Sequence, residues 1–370
     1  MISAVIWLVC TRIVAWIGIA FFSFIPTFPY SETLPSFAPA LFSRFAGFDG
    51  VHYLKIAADG YFGTGLIQAF FPLYPMLIRV LSLFGILSLF WVGTILSLVC
   101  LYGILRFFKR FALQSNVQYR WLLVSLFLFP TSFFFTGIYT ESLFLLFVLA
   151  AFLLLHKQKW FFAGLVIACA TATRITGVFL IPAGLLVVYQ ARKSMKNSWI
   201  AYGSVLLGTA GIGLYMLYLW RVFDDPLFFF HVQSEFGGGR QESFILLPQV
   251  FVRYIKMLFT IPYNTRPFYS AAFELFLTVE AGSILFLQTF TKQWKVAKSW
   301  LLYAWGGFIL PTVTGTLSSM PRYVLVLFPL FIFYAHLHER KPILYFVLMG
   351  IHAILLTVNI ILFVRGIWVA

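Results

Sequence analysis

Asp49, His52 and Tyr53 stand at i, i+3 and i+4 in Phe48-Asp49-Gly50-Val51-His52-Tyr53, so a helix there carries all three on one face. A carboxylate in that company can act as a general base toward an incoming hydroxyl, with His52 as a hydrogen-bond or phosphate partner. At a helix start the same carboxylate can equally be a cap. A second acid lies in Gly137-Ile138-Tyr139-Thr140-Glu141-Ser142, between two apolar runs, where Thr140-Glu141-Ser142 also reads as the cap of the next helix. Arg174 sits inside an apolar run, in Ala172-Thr173-Arg174-Ile175-Thr176-Gly177, and a charge there calls for an anion or a carbonyl cluster. Arg322, in Met320-Pro321-Arg322-Tyr323, offers the planar fork that matches phosphate, although an arginine at a helix end can also snorkel to the interface.

Other polar residues carry less. Asp224-Asp225 has the form of a divalent-cation pair, but Pro226 makes a turn as good a reading, so no metal is assigned. Gly237-Gly238-Gly239-Arg240 is a flexible tip that lacks the strand and Lys-Ser/Thr of a phosphate loop. His231, His336, His338 and His352 are scattered outside any zinc pattern, and nothing calls for a cofactor. Glu274 and Glu280 fall within an apolar run, where pairing with Arg12, a buried polar network and a proton relay are the readings. Cys10, Cys100 and Cys169 read as buried small hydrophobes.

The elements that must position these groups are membrane helices. Of the 370 residues 62% are hydrophobic and 20% aromatic, but only 10% are charged, against about 25% charged in a soluble chain. No water-facing surface can be built from so few charges, and the mean hydropathy of +0.95 agrees. The net charge of +15 is therefore read as a topology signal, not as nucleic-acid binding. The expected fold is all-α, a single polytopic domain over 1–370. The first run, 2–25, is too long for a signal-peptide core and is expected to stay as a span.

Further spans are expected at 86–108, 120–137, 141–155, 199–220, 271–290, 299–317, 322–336 and 342–364. Residues 160–190 read as two short helices meeting at Arg174. The prolines of Phe70-Phe71-Pro72-Leu73-Tyr74-Pro75 leave 66–85 as an interfacial segment. About eleven spans then place the basic gaps at 106–120, 157–159, 192–196, 292–298 and 340–341 on one side, which the positive-inside rule makes cytoplasmic. Two long outer loops follow, 26–85 with interfacial helices and 221–270. Glu32, Asp49, Asp59, Glu141, Asp224, Asp225, Glu235 and Glu242 all fall on the outer side, so any chemistry is expected there.

In order along the chain, the segments around Asp49 (with 57–61), Phe70-Pro75, Tyr139-Ser142, Ala172-Gly177 and Met320-Tyr323 resemble the PIG-V family of GPI-anchor mannosyltransferases and their prokaryotic relatives, within the GT-C superfamily of membrane glycosyltransferases. The family usually has Trp before the aspartate and Ser after it, where this chain has Phe48 and Gly50, and its arginine segment more often reads Arg-Ser-Asn-Gly, where this one has Arg174-Ile175-Thr176-Gly177. The resemblance implies a GT-C architecture and transfer of a hexose, mannose in the family, from a polyprenyl-phosphate sugar to a glycolipid or glycan acceptor, with inversion and without a cofactor. It implies Asp49 as base, Arg174, Arg322 and His52 at the donor phosphate, and Tyr53, Tyr139 and Glu141 as substrate-binding residues. The membrane would be the plasma membrane of a prokaryote or the endoplasmic reticulum of a eukaryote. A transporter or lipid flippase, or a non-catalytic subunit, would share the apolar body. Against transport stand the lack of internal repeats and the gathering of acids at one face instead of the midplane.

Overall fold

In hydrocarbon a backbone can satisfy its own N–H and C=O groups only as a helix or a closed barrel, and long runs of Leu, Ile, Val and Phe here take the first route. The structure, a computed structural model, describes residues 2–25, 38–61, 67–195, 197–236 and 245–369, and every regular element among them is helical. Glu32, Glu242 and Gly237-Gly238-Gly239-Arg240 lie outside the described residues. Among the described residues six helices are long and apolar enough to cross a membrane: Ser3–Phe21, Leu89–Gln114, Ile175–Ser194, Ser198–Phe223, Arg266–Phe290 and Pro342–Val364. The first of them turns Val5, Ile6, Val9, Ile13 and Trp16 outward, a lipid-facing stripe. The chain is an integral membrane protein built of helices.

The remaining expected spans are shorter or broken, and proline is the usual reason. The run 120–137 is helical over Tyr119–Leu128, becomes extended at Phe129 before Pro130, and resumes as a 3-10 turn over Ser132–Thr136. The run 322–336 is divided between Met320–Leu325 and Pro329–Arg340, and 299–317 tightens at Pro311 into the turn Leu310–Thr314. Glu141–His156, at 16 residues, is about 24 Å long, short of the roughly 30 Å of a hydrocarbon core. Residues 160–190 do form two helices, Trp160–Thr171 and Leu180–Ala191, with Arg174 extended between them. In 66–85 the helix Leu73–Leu81 starts directly after Pro72 and carries Pro75 in its first turn.

The chain falls into two compact units. The first comprises Met1–Phe62, Pro75–Ser142 and Phe331–Ala370. Its opening and closing helices pack along one another, and a Cβ on Gly18 would stand 2.8 Å from Val364 Cγ2, so only glycine permits that approach. The second comprises Gly63–Tyr74 and Leu143–Leu330. There Trp160–Thr171 lies against the 198–223 segment, with Gly164 facing the Ser204 carbonyl and Gly211 facing the Ala168 carbonyl too closely for any side chain. Small residues at such crossings are how helices gain contact where lipid removes the hydrophobic drive. The same physics explains a correction: Cys10, expected to be buried, is on the exposed face of its helix, because lipid imposes no penalty on a small apolar side chain; Cys100 is buried and Cys169 half-buried.

Candidate functional site

In the first unit the chain reaches Asp49 through a short helix, Ala40–Ser43, and a 3-10 turn, Arg44–Ala46. Phe48 then adopts φ 55° and ψ −119°, a conformation that an L-residue with a bulky side chain rarely takes. Such a residue costs about 1–3 kcal/mol. Ring contacts to Phe363 (5.3 Å) and Trp368 (5.1 Å), at about 0.5–1.5 kcal/mol each, are of the size needed to offset it. The consequence is that the helix Asp49–Asp59 begins abruptly, with Asp49 as its first residue. The N-cap position itself belongs to Phe48, and Asp49 holds the first helical position.

Asp49 is half-buried, whereas His52 and Tyr53 are buried on the same helix. Burial pushes the His52 imidazole below its ordinary value, against the opposing pull of the Asp49 carboxylate. At neutral pH His52 is therefore a neutral N–H donor. Lys55 reaches down its helix to Asp59 at 3.3 Å, an exposed pair of little energetic weight.

The Tyr139 segment is fastened to the chain just before Asp49. Ile138 N donates to the Phe45 carbonyl at 3.2 Å, and Tyr139 Oη donates to the Gly47 carbonyl at 2.6 Å. A Cβ on Gly137 would stand 2.7 Å from the Phe45 carbonyl, which is why glycine precedes Ile138. Thr140, Glu141 and Ser142 are all buried, Glu141 completely. The two acidic segments thus meet in one unit. Arg12 fastens them further: its guanidinium lies 3.9 Å from the centroid of the Phe45 ring and donates through Nη2 to Thr136 Oγ1 at 3.1 Å. Phe363 touches Phe45, Phe48, Phe133, Phe134 and Tyr139, so one ring braces both segments from behind.

The second unit gathers the basic segments. Arg174 is extended (φ −152°, ψ 145°) between two helices, and the tight turn after it depends on Gly177, where a Cβ would stand 2.6 Å from the Ala170 carbonyl. Its guanidinium carbon lies 4.8 Å from the Tyr323 ring and 5.8 Å from the Phe144 ring. Tyr323 follows Arg322 in the helix Met320–Leu325, so Arg174 packs against the segment that carries the second arginine. Arg322 is 5% exposed, which removes the snorkelling alternative. Leu73 N donates to the Ala172 carbonyl at 3.0 Å and brings the Phe70-Pro75 segment to the same place. Below it, Tyr215 Oη donates to the Gln68 carbonyl at 2.6 Å.

Asp224 and Asp225 stand apart from both clusters in sequence. Asp224 closes its helix in the left-handed conformation, and Asp225 meets His231 Nδ1 at 2.7 Å and Leu227 N at 2.9 Å. The hydrogen bond from His231 holds the Asp225 carboxyl below its usual range. Among the described residues no group of three or more His, Cys, Asp or Glu is arranged to hold a metal ion. Glu274 belongs to a buried polar network through Tyr254, whose phenol donates to its Oε2 at 2.6 Å.

No protein-family model, curated protein or solved structure matches this chain. Arg12, Phe363 and Tyr254 were not among the expected site residues. Arg12 carried a signal, a charge in an apolar run; Phe363 and Tyr254 carried none, because an aromatic in a span or a loop looks like any other.

Proposed function

We propose that the protein is a glycosyltransferase of the GT-C type, crossing the membrane about eleven times with its amino terminus inside. It transfers a hexose, with mannose the first candidate, from a polyprenyl-phosphate sugar to an acceptor hydroxyl on the non-cytoplasmic face. The observation that carries this reading is the strained start of the Asp49–Asp59 helix. Strain retained in a packed structure points to function, and here it fixes a half-buried carboxylate at the head of a helix too short to cross a membrane.

The chemistry assigned to each cluster follows from its residues. The acceptor oxygen attacks the anomeric carbon opposite the phosphate, the bond from that carbon to the phosphate oxygen breaks, and polyprenyl phosphate leaves with the electron pair. The configuration inverts in this one displacement. Asp49 takes the acceptor proton. The leaving phosphate gains a full charge, which suits the planar forks of Arg174 and Arg322, the second buried and so acting at reduced dielectric. His52 offers the phosphate a neutral N–H. Tyr53, Tyr139 and Glu141 are assigned to sugar and acceptor hydroxyls. The lipid tail of the donor suits a protein whose helices face hydrocarbon, and the bilayer of the plasma membrane or the endoplasmic reticulum is its setting.

The test is transfer of radiolabelled mannose from polyprenyl-phosphate mannose to extracted membrane lipids or simple mannosides by the purified protein. Product formation lost on Asp49→Asn supports the reading. Movement of a lipid between leaflets without any transferred sugar would replace it with a flippase.

A further inference from the structure

Arg322 hangs from a segment with no regular structure of its own. Between the Leu310–Thr314 turn and the Met320–Leu325 helix the chain passes through Gly315 (φ 83°) and Ser319 (φ 66°), both left-handed. Arg322 N donates to the Ser319 carbonyl at 3.0 Å, so the placement of Ser319 sets that of the arginine. A serine is unfavourable in that conformation, and local preference alone does not hold it.

The anchors come from the helix Leu247–Thr260 and the residue pair before it. Ile245 N donates to the Val313 carbonyl at 2.9 Å, and Arg253 Nη1 donates to the Gly315 carbonyl at 3.1 Å. Tyr254 is the hub. Its phenol donates to Glu274 Oε2 at 2.6 Å, accepts from Leu317 N at 3.0 Å, and lies 3.0 Å from Thr316 Oγ1. Thr316 Oγ1 in turn accepts from Ser318 N at 3.1 Å. A hydroxyl has one proton and two lone pairs. With the proton committed to Glu274, both lone pairs are left to receive Leu317 N and the Thr316 hydroxyl, and the relay closes without a conflict. Tyr254, Glu274 and Thr316 are all buried. Burial and the Glu274 carboxylate also hold the phenol well above its ordinary range, so the proton stays where the relay needs it.

We infer that Tyr254, oriented by Glu274, is a positioning residue that holds the 315–319 segment and through it sets the Arg322 guanidinium for the donor phosphate. The inference rests on the reading of Arg322 as a phosphate ligand. It is tested on the full-length protein in lipid nanodiscs with two readouts. One is binding of a short-chain polyprenyl phosphate. The other is the labelling rate of a cysteine at Ser318 by a thiol reagent, with Cys10, Cys100 and Cys169 replaced by alanine. Tyr254→Phe removes only the hydroxyl, and Thr316→Val attacks the same relay from the loop side should the first variant fold poorly. Loss of a buried hydrogen bond to a charged group is expected to weaken phosphate binding about tenfold or more and to raise the labelling rate by a similar factor. Glu274→Gln still accepts from the phenol and should recover most of both. Faster labelling with unchanged phosphate binding would overturn the positioning role and leave Tyr254 as a brace alone; unchanged values in both readouts would overturn it outright. Arg322→Ala separates the two ideas: if it binds polyprenyl phosphate as the wild type does, the phosphate role of Arg322 has failed, whatever Tyr254 does.

Discussion

Asp49 can be isolated from its neighbours by a single atom. Asp49→Asn keeps the size of the side chain and forfeits the carboxylate's favourable place in the first turn, about 0.3–1 kcal/mol. Loss of a general base costs about 10²–10⁴-fold in rate. Sugar transfer should therefore fall at least about a hundredfold while the thermal midpoint in detergent moves little. Glu141→Gln is the comparison: near-normal turnover of Asp49→Asn beside an inactive Glu141→Gln would move the base to Glu141. His52 makes a separate prediction about pH. Its folded-state value lies below the ordinary imidazole value of about 6.5, so as pH falls through that value the unfolded chain takes up the proton first. Stability is then full above about pH 6.5 and declines below it, until the folded-state value is passed. Tryptophan-monitored melting across that range should show a shallower acid decline in His52→Gln than in wild type, and parallel curves would show that His52 is not held neutral.

At the scale of elements, the aromatic support of the Asp49 segment is the feature most open to test. Phe363 comes from the closing helix Pro342–Val364, is 2% exposed, and faces rings on the 45–48 and 133–139 segments alike. Truncating a buried phenylalanine costs about 3–5 kcal/mol. Phe363→Ala should lower the melting temperature by that equivalent, and it should also loosen Phe48, whose backbone strain the ring helps to offset. Phe363→Leu retains most of the volume but no ring quadrupole, and is expected to recover stability better than activity. Equal recovery of both would show that the ring only fills space. The broken helices belong to the same scale. Pro130, Pro311 and Pro329 interrupt runs that hydropathy alone reads as continuous, and the last two flank the segment bearing Arg322.

For the whole molecule the testable matter is sidedness. The proposed layout puts the basic gaps inside and the two long loops outside. Cysteines at Tyr263 and Ser318 should react with an impermeant thiol reagent added outside, and cysteines at Ser115 and Ser194 should react only after permeabilisation. Labelling of all four from one side would sink the eleven-pass layout, and with it the assignment of the acidic segments to the outer face. Six helices among the described residues are long and apolar enough to cross, so the result would bear mainly on the shorter and broken ones.

Composition alone determined that this chain lives in lipid, because 10% charge cannot clothe 62% apolar residues in water; backbone hydrogen bonding there leaves a helix or a closed barrel, and the long continuous apolar runs select the helix. The break at Arg174 was equally legible, since a cation inside an apolar run is a local obstacle that acts wherever the chain goes. What the one-dimensional pattern could not hold is which segments meet. That Tyr139 closes on Gly47, that Arg174 lies against Tyr323, and that Tyr254 fastens the Arg322 segment are contacts between residues far apart in sequence. In lipid, with no hydrophobic drive to bury one face over another, such pairings rest on glycine-sized gaps, ring stacking and single hydrogen bonds. Those terms depend on geometry at the level of ångströms, and only the folded structure supplies it.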